Sequence, residues 1–377
     1  MKSTRHFAIV VAGLTVASAL FASGSVKASE PFFMGLGDLP EGNTRSVVYG
    51  LSADGSTVVG DSNVADGQHA YIWTMATGMQ DLGPGIALAA SADGSVVAGE
   101  GLLDVGIYDG FRWTEASGKQ AIGMPDSVGY GMGVSSDGSV IVGADAQGAT
   151  RWTQATGTVP LDSPFPGHLS AASDVSDDGV VVVGQQTTPP LNREQAFRWT
   201  QSTGMTLLGT LFGAGGSVAT ATNADGSVVV GFTGWGFFEA WRWTPSGGMV
   251  GLGDLPGGEY SSTAWDVSPD GSLVVGFSST NNGFEAFVWD AANGMRNLKS
   301  LFLNEGLDLT GWTLTQAKAV SADGRTFAGD GINPQGNEEA WIASLGSAVP
   351  EPNAALLLLL GVVGLQWRIM RRVRRLP

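Results

Sequence analysis

The sequence predicts an all-β protein, a closed seven-bladed β-propeller of four-stranded blades, on three observations. A nine-residue phrase of the form SADGSVVVG recurs seven times in the 377 residues, with its aspartates 39 to 53 residues apart. An aromatic phrase containing tryptophan follows each copy. The strand that the last repeat lacks is found near the beginning of the chain. Repeats of this period indicate an array of similar units, and an array that completes itself end to end indicates a ring.

The first part of each repeat is a predicted β-hairpin. An Asp-Gly pair stands between two strand-like segments, and glycine supplies the positive φ that a tight turn requires. A valine-rich run, typical of a strand, follows the pair and ends at a second glycine five residues after the first. The repeated aspartates are Asp54, Asp93, Asp137, Asp178, Asp225, Asp270 and Asp323.

A third and a fourth strand complete each predicted unit. The third contains the tryptophan, and after most of these phrases a turn leads to a Leu-Gly segment such as GMQDLG at 78–83 or GMTLLGTL at 204–211. Four short antiparallel strands in about 40–50 residues are the blade of a propeller. The predicted tryptophan anchors are Trp73, Trp113, Trp152, Trp199, Trp243, Trp289 and Trp341.

The ring is predicted to close through the N-terminal segment. The last tryptophan phrase has no clear fourth strand after it, whereas FFMGLGDLPEG at 32–42 matches MVGLGDLPGG at 249–258. Placing 34–39 beside the strand of Trp341 gives seven complete blades. A closed ring leaves no sheet edge that would need a cap.

The two ends are predicted to lie outside the propeller, which we assign to 29–346. Residues 1–28 combine basic Lys2 and Arg5 with an apolar run and small residues before Ser29, the pattern of a secretory signal peptide; an uncleaved anchor is the alternative. Residues 347–377 combine a Pro-Glu-Pro with an apolar run and a basic end, which predicts a transmembrane helix with cytoplasmic arginines. The residues that carry this pattern are Val349, Pro350, Glu351, Pro352, Trp367, Arg368, Arg371, Arg372, Arg374 and Arg375.

This tail resembles the PEP-CTERM sorting signal of Gram-negative bacteria. The resemblance implies that signal peptidase and an exosortase process the protein while it is held transiently in the inner membrane. It also implies delivery to the cell surface or to the extracellular polymer matrix of a biofilm. A plain C-terminal anchor is the alternative.

The repeats resemble the extracellular HAF-repeat family, which is named for a His-Ala-Phe phrase. The segment QHAYIWT at 68–74 comes closest to that phrase, and the match covers roughly 34–343. The pattern departs at 149–151, where the aromatic residue is missing, and at 157–168, where the fourth strand is blurred. The resemblance implies an extracellular location and assigns no activity to any residue.

Charge and composition exclude several kinds of function. Without its two ends, the segment 29–352 holds 11 basic against 35 acidic residues, a net charge of −24, which repels a phosphate backbone and argues against nucleic acid. The absence of cysteine excludes disulfides and thiol chemistry. Histidines occur only at His6, His69 and His168, and no HExxH, GxSxG or P-loop motif is present. We therefore predict no catalytic residue and no cofactor.

Two periodic sets of charged residues have structural interpretations. Each Asp-Gly turn offers one carboxylate, whereas a calcium loop needs several oxygens from one segment, so hydrogen bonding within the turn is favoured and calcium is the alternative. Arg112, Arg151, Arg198 and Arg242 each precede a tryptophan, and neighbours in a strand point to opposite faces. We expect these arginines between blades rather than in the central channel.

The irregular loop GWGFFEAW at 234–241 is the predicted ligand-facing segment. Its aromatic residues Trp235, Phe237 and Phe238 suit stacking on sugars, and covering a blade edge is the alternative. We predict a non-catalytic surface or matrix protein that binds polysaccharide or another protein. The alternative is a propeller enzyme acting on extracellular glycans or lactones, which would require a carboxylate-rich cluster of non-repeating residues at the channel mouth. A binding module would show an acidic or aromatic rim.

Overall fold

A computed structural model describes residues 30–103, 106, 108–125, 132–211, 215–234 and 238–346. They form the predicted seven-bladed β-propeller, with four antiparallel strands in each blade. The predicted signal peptide, sorting motif and basic tail lie outside the described residues. In the described part of the chain, no helix is long and apolar enough to cross a membrane.

Blades 1 to 6 each use four consecutive strands, with the first strand innermost. Blade 1 contains β2 (Ser46–Leu51), β3 (Thr57–Val64), β4 (Gly67–Thr74) and β5 (Gly78–Pro84). Blade 2 contains β6 (Ile86–Ala90), β7 (Val97–Leu102), β8 (Tyr108–Thr114) and β9 (Gly118–Pro125). Blade 3 contains β10 (Gly133–Val134), β11 (Val140–Asp145), β12 (Gly148–Thr153) and β13 (Gly157–Pro160).

The next three blades repeat this order. Blade 4 contains β14 (Ser170–Val175), β15 (Val182–Thr188), β16 (Arg193–Thr200) and β17 (Gly204–Gly209). Blade 5 contains β18 (Gly216–Thr222), β19 (Val229–Gly234), β20 (Ala240–Thr244) and β21 (Gly248–Gly251). Blade 6 contains β22 (Ser262–Val267), β23 (Leu273–Thr280), β24 (Gly283–Asp290) and β25 (Gly294–Asn297).

Blade 7 joins the two ends of the propeller and confirms the predicted closure. It contains β26 (Thr313–Val320), β27 (Thr326–Ile332) and β28 (Glu338–Ser344), and its outer strand is β1 (Phe32–Gly35). In the antiparallel register Gly35 lies opposite Trp341. The strand was predicted at 34–39 and begins two residues earlier. It ends early because Gly37 has a φ of 74° and turns the chain toward blade 1.

The Asp-Gly turn has the geometry that the repeat predicts. All seven of its glycines have positive φ, between 66° and 74°. In blade 1 the Asp54 carboxylate accepts hydrogen bonds from Ser52 Oγ at 2.6 Å and from the Ser56 amide at 2.9 Å. The glycine also touches the preceding blade, since a Cβ on Gly271 would lie 2.7 Å from Val228. Both the conformation of the turn and its contact with the preceding blade therefore require glycine at this position.

The second glycine of the repeat makes room for an aromatic ring. A Cβ on Gly60 would lie 2.8 Å from Tyr71 in the adjacent strand, and one on Gly329 would lie 2.7 Å from Trp341. Trp341 therefore matches Tyr71, and the prediction that it matches Trp73 was wrong. The rings of this class are all fully buried: Tyr71, Phe111, Phe197, Trp241, Phe287 and Trp341.

Blade 3 departs from this packing where the sequence pattern departs. Thr150 stands opposite Gly143, in the place of the aromatic residue. The space over Gly143 is occupied by Met124 and Met132, both buried. Flexible methionine side chains suit an irregular gap of this kind.

The arginines that precede the tryptophans lie between blades, as predicted. Arg198 Nε donates to the carbonyl oxygen of Gly226 in the next blade at 2.9 Å. Arg112, Arg151 and Arg242 make the corresponding bonds at 3.3–3.4 Å. They link each of blades 2 to 5 to the Asp-Gly turn of the following blade.

The connection between blades 6 and 7 contains a short helix, α1 (Leu298–Asn304), which the sequence analysis did not predict. The side chain of Asn297 caps it by accepting from the Ser300 amide at 2.9 Å. Phe302 is buried with its ring 5.5 Å from that of Phe327. The insertion explains why the last two repeats are 53 residues apart.

Candidate functional site

The innermost strand of each blade presents side chains to the central channel. In six inner strands the antiparallel register shifts at a β-bulge that leaves one residue without a pairing partner, and β26 has a second such shift at Thr315. In blade 3, Met132 takes the same position just before β10. We call these seven residues the bulge layer: Tyr49, Leu88, Met132, Ser173, Thr220, Trp265 and Lys318.

The bulge layer does not follow the repeat. Each of its members stands five residues before a repeated aspartate, and all seven are different amino acids. Turn glycines and buried rings recur from blade to blade because the fold needs them. A position that differs in every blade is free of that requirement, so its residues can serve a ligand.

The bulge layer lines a cavity of about 410 Å³ at one mouth of the channel. The remaining lining includes Ile86 and Val218 from the inner strands, with Glu100, Gln185 and Phe232 from the second strands. Small-molecule sites in proteins enclose roughly 300–1,000 Å³. The channel mouth therefore has the size of a binding site.

A second layer makes the two sides of the mouth chemically different. It consists of the residue after the second glycine of each repeat. Carboxylates occupy blades 7, 1 and 2, and aromatic rings occupy blades 5 and 6. In chain order the residues are Asp61, Glu100, Ala144, Gln185, Phe232, Phe277 and Asp330.

All three carboxylates are buried, and Asp61 and Asp330 hold neighbouring groups in place. Asp61 accepts from Arg45 at 3.0 Å and from Gln68 at 3.1 Å. Asp330 accepts from the Val48 amide of the adjoining blade at 2.8 Å. Burial raises the pKa of Asp330 to about 7, although the nearby Lys318 ammonium opposes that rise.

Lys318 is the basic residue of the cavity. Its Nζ lies 3.9 Å from the ring centroid of Trp265, within cation–π range. Burial lowers its pKa, and the charge of Asp330 partly offsets this effect. No described residue accepts a hydrogen bond from its Nζ, so its N–H groups remain available to a ligand.

An aromatic strip runs from the cavity to the outer surface. Trp265 lies between Phe232 and Phe277, with ring centroids 6.1 and 6.0 Å away. Phe238 continues the strip from Phe232 and is 47% exposed, and Phe284 continues it from Phe277 and is 54% exposed. Trp265 is held by a hydrogen bond of 3.0 Å from its Nε1 to Gln316.

The opposite end of the channel is a narrow neck formed by the Asp-Gly turns. The residue before the aspartate bonds to its counterpart in the next blade, as in Ala92 N to Ser136 O at 3.0 Å. Five of the seven junctions have such a bond. Between blades 1 and 2 the Asp54 amide donates to Ala92 O instead, and between blades 6 and 7 the bond is missing because Pro269 has no N–H.

Asp174 and Asp266 lie half-buried just inside the neck. Each accepts a backbone N–H from the following blade: Asp174 from Thr222 at 2.8 Å and Asp266 from Val320 at 2.9 Å. Burial raises the pKa of both to about 7. The Asp266 bond thus joins blades 6 and 7, the two blades between which Pro269 cannot donate a turn hydrogen bond.

Only some of the predicted ligand-facing residues belong to the candidate site. Phe238 belongs to the aromatic strip, whereas Trp235 and Phe237 lie outside the described residues. His69 pairs with Asp81 at 2.9 Å, and neither His69 nor His168 lines the cavity. Sequence reasoning missed the bulge layer, although an alignment of the repeats shows a position of varying identity there.

Metal ligands do not cluster in the described part of the chain. No group of three or more histidine, aspartate or glutamate side chains there is placed to hold a metal ion. In six of the turns the aspartate accepts from a serine hydroxyl two residues earlier, as in Ser91 to Asp93 at 2.9 Å. These bonds account for the repeated aspartates within the turn itself.

Comparison with known proteins supports the fold. No family model and no curated protein matches the sequence. Among solved structures, an oligogalacturonate lyase in complex with manganese matches 84% of this chain and 97% of its own, with a TM-score of 0.51 and 16% identity. At that identity the likeness shows the propeller alone.

Two TolB structures also match. TolB from Acinetobacter baumannii covers 65% of this chain at 14% identity and a TM-score of 0.47, and this chain spans 63% of its length. A putative TolB from Agrobacterium tumefaciens covers 79% of this chain and 90% of its own at 14% identity, with a TM-score of 0.39.

Proposed function

We propose that this protein is an exported, non-catalytic propeller that binds a polysaccharide or another protein at its channel mouth. The observation that carries the proposal is the bulge layer, in which seven different side chains converge on one cavity within an otherwise repetitive fold. The aromatic strip beside it supplies the kind of surface on which sugars stack.

The state of the carboxylates favours binding over catalysis. The aromatic rim fits the binding interpretation, and the non-repeating carboxylates fit the enzyme alternative. However, Asp61 and Asp330 are already engaged with Arg45, Gln68 and the Val48 amide. A carboxylate that holds blades together is less available for proton transfer.

The place of action is proposed from the two ends of the sequence. The resemblance of 347–377 to a PEP-CTERM signal supports sorting by an exosortase after signal peptidase has acted, with a transient stay in the inner membrane. The resemblance of the repeats to the HAF family supports the cell surface or the matrix. The acidic surface supports a partner other than nucleic acid.

Retention of matrix material tests the binding proposal. The exported protein, purified from the producing cells, is incubated with matrix polysaccharide and, separately, with matrix protein from the same cells. We expect Lys318→Met to reduce retention at least tenfold. Lys119→Met is the matched control, because Lys119 also lies over a ring, that of Phe111 at 4.6 Å, but outside the channel. Equal retention by both variants would exclude the channel mouth as the site.

The enzyme alternative rests on one specific observation. Burial raises the pKa of Asp330 to about 7 and lowers the pKa of the nearby Lys318, and perturbed pKa values are found at catalytic sites as well as in structural ion networks. Mass spectrometry of matrix polysaccharide after incubation would detect shortened or unsaturated products. Products that disappear with Asp330→Asn would favour the enzyme.

A metal partner is tested separately. Titration calorimetry with calcium and with manganese on the exported protein measures stoichiometry directly. About seven calcium ions per chain would assign them to the Asp-Gly turns. A stoichiometry of one ion per chain would instead favour a site at the carboxylates of the channel.

A further inference from the structure

The cavities along the channel become smaller from the mouth to the neck. The mouth cavity of about 410 Å³ shares the bulge layer with a second cavity of about 180 Å³. That cavity shares Asp174 and Asp266 with a third, of about 130 Å³, which is lined by residues of the Asp-Gly turns. A ligand that fills the mouth therefore meets less space as it moves inward.

The neck is narrower than the mouth, since the cavity among the Asp-Gly turns measures about 130 Å³. Hydrogen-bonded backbones lie about 4.8 Å apart, so a ring of seven measures roughly 11 Å between opposite backbones. Side chains of the turns, among them Ser136, Asp177 and Pro269, line this opening and reduce it further. The mouth therefore offers a ligand more room than the neck, and we expect a ligand to enter and leave by the mouth.

The polar groups of the mouth suit a ligand rich in hydroxyls. Lys318 offers N–H donors that no described residue uses, and the amide of Gln185 on the opposite side both donates and accepts. Phe232 and Trp265 provide apolar ring surface between them. A sugar has hydroxyls around its edge and C–H groups on its face, so it can use both kinds of surface.

The charges of the mouth select against ionised ligands. The segment 29–352 has a net charge of −24, and Glu100 adds a carboxylate to the lining of the cavity, so uronic acids and sulfated sugars are disfavoured. A cationic ligand is repelled by the Lys318 ammonium, which lies beside Trp265 in the cavity. An uncharged sugar avoids both conflicts.

We propose that the channel mouth binds the terminal residue of an uncharged glycan end-on, with Lys318 donating to its hydroxyls and Phe232 and Trp265 packing against its ring. This inference rests on the proposed binding function and names its ligand. Because the neck is narrower than the mouth, the glycan enters at the mouth, and the rest of it extends outward along the aromatic strip.

A length series distinguishes end-on binding from binding along a chain. The exported protein is first screened against an array of neutral, uronate-containing and sulfated oligosaccharides. The strongest neutral binder is then titrated as a di-, tri-, tetra- and hexasaccharide. We expect the molar affinity to change less than about twofold beyond the trisaccharide. Blocking the terminal residue with methyl ethers should abolish binding.

Variants connect the result to the named residues. Lys318→Met and Phe232→Ala should each weaken binding at least tenfold, and Trp265→Phe provides a milder change if a larger one impairs folding. Lys119→Met should bind as the parent does. Circular dichroism and the unfolding midpoint show that each variant is folded.

Three results would overturn the inference. They are an affinity that rises with every added residue, a preference for charged sugars, and an array without any neutral binder. If matrix material is still retained through Lys318 in any of these cases, the proposed function stands and only the end-on ligand is wrong. If retention is also absent or independent of Lys318, the channel mouth itself is not the site.

Discussion

At the scale of single residues, the two glycines of each repeat have different reasons to be there. The glycine of the Asp-Gly turn needs its positive φ and also lies against the neighbouring blade. The second glycine has room for no side chain because an aromatic ring of the adjacent strand covers it. The turn contact recurs in all seven blades and the pairing with an aromatic residue in all but blade 3, and this explains why the phrase recurs.

The blade contact of the turn glycine can be measured apart from its φ. Gly226 and Gly204 have nearly the same φ, 68° and 65°, but a Cβ on Gly226 would overlap Val181, while nothing lies within 4 Å of one on Gly204. We expect Gly204→Ala to lower the free energy of unfolding by about 1 kcal/mol, the cost of the left-handed conformation. Gly226→Ala should lower it by clearly more in denaturant titrations. Equal losses would show that the blades accommodate the methyl group.

Three aspartates with raised pKa values predict how stability depends on pH. Asp174, Asp266 and Asp330 have pKa values raised to about 7 by burial, so the folded protein holds their protons more tightly than the unfolded chain. Their contribution is complete below pH 4 and is lost as the pH rises through 7. The turn aspartates Asp93 and Asp137 act oppositely, because hydrogen bonds lower their pKa and their contribution is lost in acid.

The expected outcome is a stability maximum in mildly acidic solution. The unfolding midpoint should fall between pH 5 and pH 8, and Asp266→Asn should remove part of that slope. An unchanged slope in the variant would mean that Asp266 is ionised at neutral pH in the folded protein.

At the scale of elements, the strand β1 decides whether the ring is closed. It supplies the outer edge of blade 7, and Phe33 within it packs edge-on against Trp312 with ring centroids 5.2 Å apart. Beyond the strand, the Leu36 amide bonds to Ala340 O at 2.9 Å. Without β1, the strand β28 would present an unpaired edge.

Removal of β1 should therefore affect the whole propeller. We expect deletion of 32–36 to lower the thermal midpoint strongly, to expose the chain to proteolysis in more than one blade, and to promote association through β28. Deletion of 30–31 alone is the control. Loss of protection confined to blade 7 would show that the other blades remain folded without closure.

At the scale of the whole molecule, the propeller and the sorting tail are proposed to act in succession. The apolar run 354–365 is 12 residues long, or about 18 Å as a helix, which is short of a roughly 30 Å bilayer core. A weak span of this kind suits a temporary anchor. The propeller would then be released to the surface with its channel mouth free to bind.

Mass spectrometry of surface material tests this sequence of events. In wild-type cells the mature protein should end near 350–352. Changing Pro350, Glu351 and Pro352 to alanine should retain the protein in the inner membrane with Arg371 to Arg375 still attached. A wild-type surface species that retains Pro377 would identify the tail as a permanent anchor.

The sequence by itself determined the number of blades, the hairpin turns, the inter-blade position of the arginines and the closure of the ring. These features could be predicted because each of them recurs in several repeats. A pattern that recurs is far less often a chance similarity than one that occurs at a single position. Closure could be predicted because one segment matches the strand that is missing elsewhere.

Only the tertiary structure decided where the candidate site lies. A β-bulge turns Lys318 and Trp265 toward the channel, and the ring brings them together with Glu100, which is more than 160 residues away in sequence. Repeated residues show what the fold requires in every blade. The function of a residue that occurs in only one blade cannot be predicted from the repeats. The strand register likewise decided that Trp341 matches Tyr71. The sequence could not decide it, because a shift of two residues keeps each side chain on the same face of a strand and leaves the alternation of residues almost unchanged.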